Sequence, residues 1–211
     1  MGRHDRVKGN GFLMKNVNGA IGIDLNDKRY IVASLDTGEQ LCCVEVECCV
    51  KFCNYLRCES QSVVRFKEYY NDLLMSEKID RLIYSVVRTL VGYAKKNKLV
   101  IVLEDLGFSK YLQRPNGSGM DRLVRNNKYG RFVSMLWNEC KKHTIPLLFV
   151  PHDKTSLKCS RCGYYNGRRK FNKNMFRCEN CGLIVDKDVN ASINIAREGL
   201  MMYMDMFFDM D

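Results

Sequence analysis

Two pairs of cysteines and a set of isolated acids carry the chemistry in this sequence. Cys159-x-x-Cys162 and Cys178-x-x-Cys181 are separated by 15 residues, and each second cysteine is followed by a glycine, Gly163 or Gly182. A CxxC turn brings two thiolates to one side of a tight loop, and the glycine permits the backbone there. Two such turns supply the tetrahedral sulfur set that zinc prefers. Iron can use the same ligands. Four protein ligands close the site, so the expected zinc holds structure and does not catalyse. Between the pairs runs YYNGRRKFNKNMFR, and Arg161 precedes it. Its cations Arg168, Arg169, Lys170, Lys173 and Arg177 are interleaved with Tyr164, Tyr165, Phe171 and Phe176. Cations can meet phosphates and aromatic rings can stack on bases. The alternative is a solvated ribbon whose aromatics pack against the rest of the protein.

The acids are Asp24, within an apolar strand pattern, Glu104, at the end of another, and Asp186 and Asp188, at the start of the last helix. A charge in a buried strand is costly unless it is paired or binds metal. If the strands of Asp24 and Glu104 are neighbours, their carboxylates converge and the helix adds a third. Two Mg²⁺ ions about 4 Å apart would offset the repulsion, activate a water and stabilise the leaving oxygen of a phosphodiester. Each acid also has a plainer reading. Asp24 can precede a turn with Asn26 and Asp27, Glu104 can end a strand before a loop, and Asp188 can cap a helix.

The elements around these residues set their placement. Residues 18–25, NGAIGIDL, alternate as a strand, with Ala20, Gly22 and Asp24 on one side. Residues 29–35 form a second strand, and after the turn Asp36-Thr37-Gly38-Glu39 residues 41–50 form a third. Ile79, Leu82, Ile83, Val86, Val87, Leu90, Val91 and Ala94 keep helical spacing, and residues 60–76 are expected to be helical too. Leu99–Leu103 is a short apolar run, the mark of a strand buried on both faces. Residues 113–119 read as a loop, and Tyr129 to Cys140 as a helical stripe. A strand over 146–150, the cysteine clip and a helix from about Asn190 complete the order. An antiparallel meander feeding alternating helices and strands predicts an α/β fold with a mixed sheet flanked by helices. That order matches the ribonuclease H fold.

Composition limits the function classes. The chain has 211 residues, 34 Lys and Arg against 24 Asp and Glu, a net charge of +10 and a pI near 9.1. Such a balance favours a polyanionic partner, nucleic acid first and anionic membrane second. Residues 1–11 lack an apolar core and the apolar runs are too short to span a bilayer. A soluble intracellular protein is expected, in the cytoplasm or nucleoid, or in a nucleus. Eleven cysteines, an odd count with paired CxxC units, fit a reducing compartment. Cys42, Cys43, Cys48, Cys49, Cys53 and Cys58 match no zinc spacing and read as small hydrophobes.

GIDL around Asp24, VLEDL around Glu104, TSLKCSRCG at 155–163 and CENCGLIVDKDVNASINIA from Cys178 resemble the transposon-encoded TnpB nucleases and their relatives, the type V CRISPR effectors. The resemblance covers roughly residues 20–200 and is most specific from Thr155 onward. It implies a RuvC-like nuclease of ribonuclease H fold with a four-cysteine zinc ribbon inserted before the last catalytic segment. Asp24 would be the first catalytic Asp, Glu104 the catalytic Glu and Asp188 the third acid, with Asp186 as fallback. It further implies a DNA endonuclease that uses Mg²⁺ and a guide RNA.

The implied layout is a basic arm over 1–17, the first part of a core over 18–155, the ribbon over 156–184, the last catalytic segment over 185–200 and a tail over 201–211. Relatives carry a long N-terminal half that grips the guide RNA, whereas about twenty residues precede the first strand here. A second protein chain supplying RNA-gripping domains is therefore a further candidate partner. The competing functional reading is a nucleic-acid-binding remnant, or a partner-dependent subunit without nuclease activity of its own. A third is a zinc-stabilised interaction module.

Overall fold

The structure, a computed structural model, describes residues 8–25, 29–45, 50–52, 73–107, 129–151, 155–167 and 174–208. Its centre is β2 (Gly19–Asp24), a strand buried along its whole length. Ile21 and Ile23 point to one face of the sheet, and Ala20, Gly22 and Asp24 to the other. Around it the other strands are β1 (Lys8–Gly9), β3 (Arg29–Leu35), β4 (Gln40–Glu45), β5 (Val50–Phe52), β6 (Leu99–Glu104) and β7 (Leu147–Val150). They form one mixed sheet in the order β1-β7-β6-β2-β3-β4-β5. The β2–β6 and β6–β7 pairs are parallel, and the others antiparallel. A separate hairpin pairs β8 (Met175–Arg177) with β9 (Ile184–Asp186).

Helices cover both faces of the sheet. On one, α1 (Leu73–Asn97) and α2 (Gly130–His143) bury Val87, Leu90, Phe132 and Leu136 against Ile21, Ile23, Ile101 and Leu103. Arg131 bridges the two helices to Asp80 at 3.0 Å. The other face takes α3 (Lys187–Phe208), whose Ile195, Ala196 and Tyr203 pack on Ala20, Val100, Val102 and Leu148. LVIVL is thus a strand with apolar cover on both sides, as its unbroken apolar run requires.

The expected meander is present as β2, β3 and β4, but the third strand is divided. Residues 41–50 contribute to two strands, β4 and β5, which pair antiparallel through Cys42↔Phe52 and Val44↔Val50. The N-terminal stretch also joins the sheet. Lys8 and Gly9 pair with β7, and Asn10 pins them by donating to the Ile145 carbonyl at 2.8 Å and accepting from the Leu147 N–H at 3.1 Å. The last helix starts at Lys187, three residues before the expected Asn190, and it runs on through residues 201–208. Buried Tyr203 accounts for that extension, because its hydroxyl bonds the backbone of Met14. Cys48, Cys49, Cys53, Cys58, residues 60–72 of the helix expected over 60–76, and the loop over 113–119 lie outside the described residues, while 73–76 open α1. Cys42 and Cys43 are buried in β4, in line with a packing role. No helix among the described residues is long and apolar enough to cross a membrane.

Helix and sheet approach each other closely at Gly22. A Cβ there would lie 2.0 Å from the Ser192 carbonyl oxygen and 2.4 Å from the Ala196 nitrogen. Gly199 makes the reciprocal contact, where a Cβ would fall 2.3 Å from Val102. Gly22→Ala should therefore lift α3 and cost at least about 1–3 kcal/mol. Gly92, on the exposed side of α1, has nothing within 4 Å of its Cβ position, so Gly92→Ala should add about 0.5–1 kcal/mol. Thermal melting by circular dichroism checks both, and a neutral Gly22→Ala would refute the close-approach account.

Candidate active centre and metal site

Parallel pairing brings the first two acids together. The register Gly19↔Leu99 through Ile23↔Leu103 places Asp24 beside Glu104 at the carboxyl ends of adjacent strands. Neighbouring strands lie about 4.8 Å apart. Alternation puts both side chains on the α3 face, because Gly22 meets α3 backbone and Val102 meets Gly199. The third acid arrives from the helix. Asp188 is in the first turn of α3, and its neighbour Val189 packs on Val32, the register partner of Asp24. Because α3 runs antiparallel to β2, its N-terminal end, with Asp188, is at the carboxyl end of that strand. Asp24 and Asp188 are buried and Glu104 is half-buried. Asp24, Glu104 and Asp188 are thus placed at the same end of the sheet, and carboxylate oxygens are the hard donors that Mg²⁺ or Mn²⁺ take.

Asp186 and Asp188 occupy different positions. The Asp186 carboxylate accepts from the backbone N–H groups of Asp188 at 2.9 Å and Val189 at 3.3 Å. The capping position read for Asp188 thus goes to Asp186. Asp188 has Lys187 Nζ at 3.8 Å from its Oδ1. Glu104 accepts a hydrogen bond from the Thr155 hydroxyl. Asp105 folds back to accept the Gly107 N–H at 3.1 Å, and Gly107, at φ +91°, begins the exit from β6. Asn26 and Asp27 lie outside the described residues.

The four cysteines converge. Their sulfurs all lie within 4.8 Å of one another. The Cys159–Cys181 and Cys162–Cys178 sulfurs are 3.6 and 3.5 Å apart. That is far beyond the ~2.05 Å of a disulfide and close to the roughly 3.8 Å between sulfurs in a tetrahedral zinc–thiolate set. The two turns are alike. The N–H of Gly163 donates to the Cys159 carbonyl and that of Gly182 to the Cys178 carbonyl, at 2.9 and 3.1 Å. Their φ values of +74° and +70° explain the two glycines. Backbone N–H groups of Arg161 and Cys181 reach the sulfurs of Cys159 and Cys178, each at 3.4 Å. Burial pushes the Cys159 thiol up to about 12. The Tyr164 backbone N–H and then the Asn180 amide draw Cys162 down to about 6. The residues fit a bound zinc ion, whose binding would displace the proton of the Cys159 thiol.

Of the cations read as nucleic-acid contacts, Arg161 and Arg177 are exposed on this lobe beside exposed Tyr164 and Tyr165. Arg168, Arg169, Lys170 and Lys173, with Phe171, lie outside the described residues. Phe176 is buried against Cys159 and Cys178, so one aromatic packs within the lobe.

A polar seam joins the cysteine lobe to α3. Asn194 donates to the carbonyls of Thr155 and Lys158, both at 2.7 Å. Asn190 donates to the Lys158 carbonyl at 2.8 Å and accepts the Ser160 N–H at 2.9 Å. Arg197 reaches the Ser160 carbonyl and donates to that of Asp36 at 2.8 Å. Sequence motif alone assigned these asparagines no task. Two asparagines at i, i+4 on an apolar helix were the available signal, since a buried amide needs partners.

A family model described as the Cas12f1-like TNB domain matches residues 129–195. The CRISPR-associated DNA-binding protein Cas12m of Thermanaerosceptrum fracticalcis is 27% identical over 120 residues, 52% of this chain and 20% of that protein. A TnpB-like protein of Aquifex aeolicus is 33% identical over 111 residues, 48% of this chain and 34% of that one. The chain thus spans well under half the length of these relatives. The fold is similar to that in a solved Cas12f1–guide RNA–target DNA complex, with a TM-score of 0.51 at 19% identity, over 89% of this chain and 52% of that one. In sequence the chain is thus similar to TnpB-like and Cas12 proteins over part of their length, and in fold to Cas12f1.

Proposed function

We propose that the chain is the nuclease part of a TnpB-type, metal-dependent DNA endonuclease, with a RuvC-like ribonuclease H fold and an inserted zinc ribbon. The observation that carries this reading is the parallel β2–β6 register, which sets Asp24 beside Glu104 on the face where α3 brings Asp188. Asp24, Glu104 and Asp188 are the catalytic acids. They would hold divalent cations by their carboxylate oxygens. A bound pair of Mg²⁺ ions would supply an activated water and stabilise the leaving oxygen of the phosphodiester. Burial of Asp24 and Asp188 near a third acid makes the cluster costly without cations, which favours metal loading.

Cys159, Cys162, Cys178 and Cys181 are the ligands of a structural zinc ion. The exposed Arg161, Arg177, Tyr164 and Tyr165 form a surface suited to a nucleic-acid strand. Arg168, Arg169, Lys170 and Lys173 would add to it. A net charge of +10 supports a polyanionic partner. The relatives and the Cas12f1 complex suggest DNA as substrate and RNA as guide, with RNA-gripping parts coming from outside these residues. One relative is described as a DNA-binding protein, so the rival reading is binding without cleavage.

Wild-type protein should cut labelled single-stranded DNA with Mg²⁺ or Mn²⁺, and Asp24→Ala should not cut while binding the same DNA equally well. Folded, zinc-loaded wild type that binds DNA but does not cut, with or without RNA, would favour the rival. Loss of binding in Asp24→Ala would make that residue structural.

Zinc should bind with release of protons, Cys159's among them. Affinity should therefore weaken as pH falls, and more steeply below about 6, where Cys162 must also give up a proton. Chelator competition across pH measures this. Cys178→Ser should lose zinc and melt the lobe, read by metal content and calorimetry. Full zinc content with unchanged melting would remove the ligand assignment.

A further inference from the structure

Thr155 belongs neither to the carboxylate trio nor to the cysteines, yet it is where the two meet. It is 5% exposed. Its hydroxyl donates to Oε1 of Glu104. Its own carbonyl accepts from Asn194 at 2.7 Å, and the second N–H of the same amide reaches the Lys158 carbonyl, next to Cys159. Lys158 is tied in turn to Asn190, two residues after Asp188 on the same helix. A single run of hydrogen bonds therefore connects the metal loop, the helix that carries Asp188 and the side chain of Glu104.

The geometry matters because Glu104 is the one acid of the three with a long, rotatable side chain and a half-buried position. A glutamate must give up rotamer freedom before it can hold a cation, and one fixed donor on one oxygen removes most of that freedom beforehand. A threonine suits the task because β-branching stiffens χ1. With its backbone held by Asn194, the hydroxyl has few other directions to take.

We propose that Thr155 is the positioning residue for Glu104, and that Asn194 holds Thr155 in place, so that the cysteine lobe and the cation-binding carboxylates are set as one unit. This rests on the reading of Glu104 as a cation ligand, and its test is separable from that reading. Thr155→Val removes the donor at nearly constant shape, and Thr155→Ser keeps it.

Three measurements on the full chain decide the matter. Mn²⁺ binding without nucleic acid, followed by electron paramagnetic resonance, should weaken about 10- to 100-fold in T155V. Turnover in cleavage should fall by a similar factor, with the half-saturating DNA concentration unchanged. The carboxyl carbon resonance of Glu104 at fixed pH should move in T155V. All three should return toward wild type in T155S. Wild-type Mn²⁺ affinity and an unmoved Glu104 resonance in T155V would overturn the proposal while leaving the nuclease reading intact. Were wild type itself neither to bind Mn²⁺ nor to cut, the nuclease reading would fall. The Glu104 resonance alone would then decide the positioning, upheld by a shift that Ser reverses and refuted by none. Thr155→Ala gives the same comparison if T155V does not reach a native melting profile.

Discussion

Everything at the candidate centre depends on how closely α3 lies on β2. Backbone touches backbone at Gly22, where no side chain fits between the strand and the Ser192 and Ala196 peptides. Gly199 then seats the helix on Val102 of β6. Two contacts on adjacent strands fix both the height and the direction of a rigid rod. With the direction fixed, the first turn of α3 must be at the carboxyl ends of β2 and β6, where Asp24 and Glu104 project. A bulkier residue at position 22 would raise the whole helix and carry Asp188 away with it, since the interior is packed too densely to absorb a methyl group locally.

The polar content of α3 follows from the same closeness. Asn190, Ser192 and Asn194 are all buried on α3. Ser192 lies 2.7 Å from the Ser34 hydroxyl on the strand next to β2. The asparagines saturate backbone groups of residues 155–160 that would otherwise be stranded under the helix. Among the described residues no buried side-chain nitrogen or oxygen lacks a partner. A satisfied network of this type specifies one arrangement, because any sliding of the lobe along α3 breaks several bonds at once.

Much of this fold was legible because its strands obey simple alternation. Ile21 and Ile23 against Ala20, Gly22 and Asp24 gave β2 its two faces, and the solid apolar run gave β6 its double burial. The helical stripes of α1 and α2 were equally plain. The readings failed where local pattern is silent. A two-residue strand such as β1 carries no periodicity, and what holds it is one asparagine, Asn10, bonding residues 135 and 137 positions away. The division of residues 41–50 between β4 and β5 was hidden by strand-forming residues on both sides of it. The extension of α3 through MMYMDMFF depends on Tyr203 meeting Met14, a contact no window reveals. Asp24, Glu104 and Asp188 were candidates from the sequence motif alone. Their adjacency is a property of the parallel register, which only the fold specifies, and Thr155 gave no sign of touching Glu104.

The position of a cysteine clip immediately before an acidic helix start has a mechanical explanation. The chain leaves Cys181, forms β9 and enters α3 without a linker, and Asp186 both ends the strand and caps the helix. The Lys187 N–H bonds the Asn174 carbonyl at 3.0 Å, which stitches the first residue of the helix to the opposite arm of the hairpin. Val185 packs between the Cys159–Phe176–Cys178 cluster and the Val32–Val189–Ile193 cluster on the sheet. A hairpin with two three-residue strands is marginal by itself. With a metal ion shared by the four sulfurs at its base, it would become stiff enough to act as a bracket. The bracket sets where α3 begins, the Gly22 contact sets where it points, and Asp188 is placed by both. The clip therefore need not touch the carboxylates to govern them: it removes the freedom that would let the helix start fray.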